Sequence, residues 1–206
     1  MSRKRSNLNH PKKGSSTKVQ PIRSKDAIAR IKEHLKDKPR NLCLFTLGIN
    51  TAYRANELLS LRIRHVDHLM VGDVLDIKQS KNSEYRATAI NHAVYTALHT
   101  WLAVHPKGDD PESPLFMSNH FRHKALSVSA VNHLVKAWCA QAGLNENYGS
   151  HSLRKTWGYQ QRIENEGKAS VPLLMRAYGH KSEAQTLEYL GILADEIHAL
   201  YMGYEV

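Results

Sequence analysis

The sequence predicts an α+β domain that is mainly helical and carries one small β-hairpin. Three observations predict it. Apolar residues recur at helical spacing along most of the 206-residue chain. The period changes once, over residues 71–91, where two short runs flank a polar turn. No internal repeat is evident, and the length suits one hydrophobic core better than two.

Taken in order, residues 1–23 are polar and basic with almost no apolar side chains. Such a stretch buries too little surface to offset chain entropy, so it reads as a disordered arm available to order on a partner. Ser24 is placed to cap a helix over 25–37, with Ala27, Ile28, Ile31 and Leu35 on one stripe. Pro39 separates it from a buried helix around Leu42–Leu47, and Gly48–Ala52 is expected to break that helix. Leu58, Leu59 and Leu61 mark a short helix behind Arg54. Strands over 74–79 and 85–90 enclose the turn 80–84, followed by a helix over 92–105 and a loop at 107–114. A helix opened by Ser127 or Ser129 runs through Ala142 and stops at Gly143. The next helix begins near Ser150 and runs to about Glu166. Pro172 suits the first turn of a short helix ending at Tyr178, and Ser182 starts another that contains Tyr189. Helical spacing returns at 194–202.

Composition narrows the class. Hydrophobic residues make up 41% and charged residues 23%, the balance of a soluble globular protein. No apolar run approaches the roughly 20 residues that span a bilayer, and no secretory h-region follows the charged start, so the expected location is cytoplasmic, alongside the nucleoid. The two cysteines, Cys43 and Cys139, sit in apolar helical patterns and read as buried reduced thiols. Net charge is +10, and eight of the 29 basic residues, with no acidic one, fall within residues 1–25. The rest of the chain is nearly balanced. A basic arm suits a polyanion, most often nucleic acid, or else solubilises the chain.

Six side chains are chemically suggestive. His151 and Arg154 stand three residues apart at a helix start, on one face, where free N–H groups and the macrodipole favour an anion. Arginine offers a fork for phosphate oxygens, and neutral histidine accepts a proton near pH 7. Arg54 begins a short helix, where it either pairs with Glu57 on the surface or points into a site. Lys81 lies in the hairpin turn with Lys78 close by, and strand register decides between them. His180 follows Gly179 in a turn, and Tyr189 is one of nine tyrosines, most of which are expected to be packing residues. His151 and His180 lack ligand partners at metal-binding spacing, so neither metal nor cofactor is expected.

In order and spacing, Arg54 before Asn-Glu-Leu-Leu-x-Leu, Lys81 in a hairpin, His151-Ser-Leu-Arg154, Gly179-His180 and Tyr189 nine residues later resemble the catalytic domain of the tyrosine recombinases, the phage integrase family. The resemblance covers about residues 24–202. It departs from the common pattern at Ala52-Tyr53, where many members have Gly-Leu, and at Lys155, where many have histidine. It implies a single catalytic domain over 24–206 with no separate core-binding domain, as in the short fimbrial-switch invertases.

The resemblance implies a site-specific DNA recombinase that cleaves and rejoins strands through a 3′-phosphotyrosyl intermediate, for integration, excision, inversion or resolution. Tyr189 would be the nucleophile, Arg54 and Arg154 the grip on non-bridging oxygens, His151 the proton acceptor, Lys81 the proton donor and His180 a hydrogen-bond donor to phosphate. The implied partners are double-stranded DNA, a homotetramer on that DNA with 194–202 as a tether between subunits, and accessory DNA-bending proteins. Two alternatives stay open: relaxation of supercoils in the manner of a type IB topoisomerase, and a DNA-binding regulator on the same fold.

Overall fold

The computed structural model describes residues 19–78, 85–119, 124–164, 169–191, 198 and 201–203. Eight complete α-helices, a short 3-10 helix (Ile63–His65) and one antiparallel strand pair are found among them. Helix α1 (Lys25–Leu35) starts at Ser24, whose hydroxyl accepts from the Ala27 N–H. α2 spans Pro39–Asn50 and α3 spans Ala55–Leu59. Strands β1 (Val74–Lys78) and β2 (Tyr85–Ala89) pair from Val74↔Ala89 to Lys78↔Tyr85. α4 (His92–Leu102) and α5 (Val128–Gln141) follow, capped by Asn91 and Ser127. α6 (Ser150–Glu164), α7 (Val171–Tyr178) and α8 (Glu183–Leu190) complete the described elements.

α2 is the central helix. Its run Cys43-Leu44-Phe45-Thr46-Leu47-Gly48 is buried all round, because α4 covers one side and α6 another. Ile31 and Leu35 of α1, Leu98 of α4, Val131 and Val135 of α5 and Leu153 of α6 fill the core around it. A second, smaller cluster joins Ala52, Leu174, Tyr178 and Leu190, with Trp157 and Tyr189 packed against it. It sits where α6, α7 and α8 meet.

The expected break at Gly48–Ala52 comes later than the sequence suggested. α2 continues through Gly48 and Ile49 and ends at Asn50. Gly48 serves packing rather than termination: a Cβ there would lie 2.6 Å from Leu153 Cδ1. The missing side chain lets α6 approach α2 closely, which carries the start of α6 to the end of α2.

Residues 19–23, expected to belong to the arm, lie against the domain. Ile22 is fully buried, its N–H donates to Thr156 Oγ1 at 2.8 Å, and the Gln20 N–H donates to the Asn147 carbonyl at 2.8 Å. Buried Pro21 and Ile22, together with these bonds and the Gln160 amide's bonds to the Ile22 and Arg23 carbonyls, hold this short stretch in place. Residues 1–18 lie outside the described residues. So does most of 194–202, of which His198, Tyr201 and Met202 are helical and exposed. Both cysteines are buried; burial pushes the Cys43 thiol up strongly and that of Cys139 up to about 12, so neither is a nucleophile near neutral pH.

Candidate active site

The N-terminus of α6 is built by its neighbour α5. Asn132 Oδ1 accepts from the Ser150 N–H at 3.1 Å, and Ser152 Oγ accepts from the Gly149 N–H at 3.1 Å. These bonds satisfy amides that a helix start leaves without intrahelical partners. From there α6 presents His151, Arg154, Lys155 and Gly158 at positions i, i+3, i+4 and i+7, a single stripe.

Arg154 is buried, and its place is set by two backbone carbonyls. Nη1 donates to Ala52 O, and Nη2 donates to Tyr178 O at 2.6 Å. The guanidinium thus bridges the end of α2 and the end of α7. Its carbon lies 4.7 Å from the centre of the Tyr178 ring, and the Tyr178 hydroxyl donates back to the Arg154 carbonyl at 2.8 Å. The two carbonyls take two of the five guanidinium N–H donors.

Arg54 caps α3 and holds Glu57 in a capping box. Nη1 meets Glu57 Oε1 at 2.9 Å, and the Arg54 backbone N–H donates to Oε2 at 2.6 Å. Glu57 is only 2% exposed, and its Oε2 also lies 4.0 Å from Arg154 Nη1. The surface pair that the sequence allowed is therefore a buried carboxylate shared by two arginines. Arg54 itself keeps a quarter of its side chain exposed. Arg54 pairs with Glu57 and, through that carboxylate, stands beside Arg154.

His151 reaches solvent at the mouth of this cluster. Its pKa lies below the ordinary value, first because of desolvation, then because Arg154, Arg54 and Lys155 disfavour a further positive charge. Near neutral pH it is a neutral imidazole, able to accept a proton.

His180 and Tyr189 come from the other side. Gly179 adopts φ +62°, the left-handed turn that ends α7 and that side chains with a Cβ resist. The turn lays the His180 ring on Tyr178, stacked with centroids 5.0 Å apart. His180 Nδ1 lies 3.1 Å from Thr186 Oγ1 on α8, which fixes the ring's orientation. The Tyr189 ring stands edge-on to both, 5.1 Å from His180 and 5.2 Å from Tyr178, and its hydroxyl is closed off from solvent. α8 starts at Ser182, whose Oγ accepts from the Gln185 N–H, and about two turns later Tyr189 faces Lys155 of α6.

Five of the six expected site residues are thus brought to one place: Arg54, His151, Arg154, His180 and Tyr189. Lys81 lies outside the described residues. Its hairpin is anchored beside the site, since the buried Tyr53 hydroxyl donates to the Leu75 carbonyl of β1 at 2.6 Å. The departure at Ala52-Tyr53 is therefore used. Ala52 supplies a carbonyl to Arg154, and Tyr53 ties down the hairpin.

Sequence reasoning missed three contributors. Glu57 was legible only as a partner for Arg54 three residues away. Tyr178, legible only as the end of a short helix, is the aromatic floor under Arg154, His180 and Tyr189. Lys155, noted only as a departure, is 8% exposed, with Nζ 5.0 Å from the centre of the Tyr189 ring. No group of three or more metal-ligating side chains occurs among the described residues.

Known proteins resemble this chain in sequence and in fold. The model of the phage integrase family matches residues 22–195. The chain is 30% identical over 186 residues to the probable integrase/recombinase YoeC of Bacillus subtilis, covering 89% of this chain and 95% of that protein. It is 24% identical over 162 residues to the tyrosine recombinase XerC of Nitrobacter winogradskyi, covering 79% of this chain and 49% of that protein. Among solved structures, the XerA recombinase superposes with a TM-score of 0.70 at 19% identity, over 91% of this chain and 66% of that one. The XerH site-specific recombinase in its post-cleavage complex with a palindromic difH substrate gives 0.67 at 21% identity, over 90% and 54%. The chain spans about half the length of XerC and of XerH. The chain belongs to the phage integrase family, the tyrosine-type site-specific DNA recombinases, and is folded as their catalytic domain.

Proposed function

We propose that this domain cleaves and rejoins one DNA strand through a covalent bond between Tyr189 and a 3′ phosphate. One observation carries the assignment: two arginines, two histidines and a tyrosine from four separate segments converge on a single cluster. The chemistry asks for that set. A phosphodiester is protected by its anionic oxygens, so cleavage without metal needs those oxygens neutralised, a nucleophile, and a proton for the leaving oxygen.

Arg54 and Arg154 take the non-bridging oxygens, as a guanidinium stays charged and its fork matches their geometry. The Tyr189 oxygen attacks phosphorus, and the bond from phosphorus to the 5′ oxygen breaks. His151 accepts the phenolic proton. Lys81 supplies the proton that the departing 5′ oxygen takes up. His180 presents Nε2 to a phosphate oxygen, Nδ1 being turned towards Thr186, and donates there when Nε2 carries a proton. The products are a 3′-phosphotyrosyl ester and a free 5′ hydroxyl. The ester keeps the bond energy, so a second strand's hydroxyl reverses the step without ATP.

Recombination joins four strands, and we infer that the domain works as a homotetramer on two duplexes, with 194–202 as the tether between neighbours and accessory bending proteins shaping the DNA. The basic arm adds phosphate contacts. Its deletion should weaken binding and flatten the salt dependence, and an unchanged salt slope would count against it.

The test is covalent trapping. Duplexes from the DNA flanking the native gene, nicked near candidate crossovers, are incubated with the protein and with Tyr189→Phe. A denaturation-resistant adduct that Tyr189→Phe cannot form supports the assignment. Binding without any adduct, or an adduct that survives the substitution, removes it.

A further inference from the structure

We propose that Lys155 is a positioning residue for the nucleophile: its ammonium holds the Tyr189 ring and stabilises the negative charge that ring gains as the phenol attacks. The proposal rests on the reading of Tyr189 as the nucleophile, and it adds a residue outside the six that this reading uses.

Three observations carry it. Lys155 is 8% exposed, an unusual place for a lysine, whose head group normally reaches water along its flexible stem. Its Nζ stands 5.0 Å from the Tyr189 ring centre, within the range where a cation is attracted to an aromatic ring. Finally, it occupies the stripe of α6 that faces α8, immediately after Arg154 and one turn below His151. One helix face thus delivers the phosphate grip, the proton acceptor and a charge on the nucleophile's ring.

The physics favours the transition state over the resting state. A neutral phenol ring attracts the ammonium through its quadrupole alone. When the proton passes to His151 and the oxygen moves onto phosphorus, the ring carries part of a full negative charge. The same ammonium then attracts it more strongly, and because Lys155 and the Tyr189 hydroxyl are both buried, that difference is little screened. An interaction that strengthens on the way to the transition state accelerates the step, whereas one equal in both states would not. The step is otherwise unchanged: phosphorus still exchanges the 5′ oxygen for the tyrosine oxygen, and Lys155 neither gives nor takes a proton.

The experiment compares wild type, Tyr189→Phe, Lys155→Met and Lys155→Arg on one nicked suicide duplex. Single-turnover adduct formation, affinity for the same duplex and thermal stability are measured for each. Methionine keeps the length and apolar stem without the charge, and arginine keeps the charge. The expected result is adduct formation slowed roughly 2- to 30-fold in Lys155→Met, the span of a cation held over an aromatic ring. Its affinity and melting temperature should stay close to wild type, and Lys155→Arg should recover most of the rate. Lys155→Met at the wild-type rate overturns the proposal. Equal loss in both variants, or loss of the folded state in both, also overturns it, because shape rather than charge would then matter. An adduct absent from wild type, or retained by Tyr189→Phe, shows instead that the nucleophile assignment itself fails.

Discussion

Replacing Glu57 with alanine should destabilise the domain more than any surface charge would. The carboxylate is 2% exposed and serves three partners: Arg54 Nη1 at 2.9 Å, the Arg54 backbone N–H at 2.6 Å and Arg154 Nη1 at 4.0 Å. Alanine leaves two guanidinium groups facing each other with their shared counter-charge gone, one of them buried. Breaking a buried ion pair costs about 3–5 kcal/mol. Arg54 is 25% exposed, so water compensates in part and the lower end applies. At about 2–4 °C per kcal/mol for a domain of this size, 3 kcal/mol lowers the melting temperature by roughly 6–12 °C. Calorimetry at low salt measures it. Glu57→Gln, whose amide oxygen can still accept from the Arg54 N–H, should fall between the two. DNA should restore more stability to Glu57→Ala than to wild type, because a phosphate replaces the missing negative charge. A melting temperature within 2 °C of wild type would refute the idea that this carboxylate holds the two arginines.

Three further outcomes are expected. In Gly158→Ala the new Cβ would sit 2.7 Å from Tyr178 Cζ and 2.9 Å from Leu190 Cδ2. Overpacking of about 1–3 kcal/mol should push α7 and α8 away, so covalent cleavage is lost while DNA affinity largely remains; cleavage at the wild-type rate would contradict it. Tyr53→Phe removes a buried bond to the Leu75 carbonyl, costing about 1 kcal/mol, and hydrogen exchange should quicken in β1 and β2 before it does in α2. His151 should titrate below its ordinary value of about 6.5 in NMR of the free protein, because desolvation and three nearby cations disfavour the imidazolium. The unfolded chain then binds the proton first, so stability declines as pH falls through about 6.5 and levels off below the folded pKa. His151→Gln should remove that decline, and an unshifted or raised midpoint would count against the electrostatic account.

Local signals were legible because their causes are local. Ser24, Ser127 and Ser182 accept hydrogen bonds from their own helices, so these starts could be read from the chain, with the structure choosing Ser127 over Ser129. The hairpin strands announced themselves by their change of period, and the shared face of His151 and Arg154 follows from helical period alone. The family likeness rested on motifs of this kind, and the family match and the fold bear it out. Gly48 misled for the complementary reason: a glycine reads as a break in one dimension, while here it is a contact surface for Leu153.

By itself, the sequence determined most of the helices, several of their caps, the two hairpin strands, and the identity and order of the candidate site residues, since these depend on neighbours a few positions apart. Only the tertiary structure decided that Glu57 is a buried counter-charge rather than a surface partner. Only there does Ile22 pin the segment before α1, and does Tyr178 become the floor of the site. Only there does Lys155 meet Tyr189. Each of these depends on groups from different elements that share a desolvated space, where charge and close packing act between residues far apart along the chain.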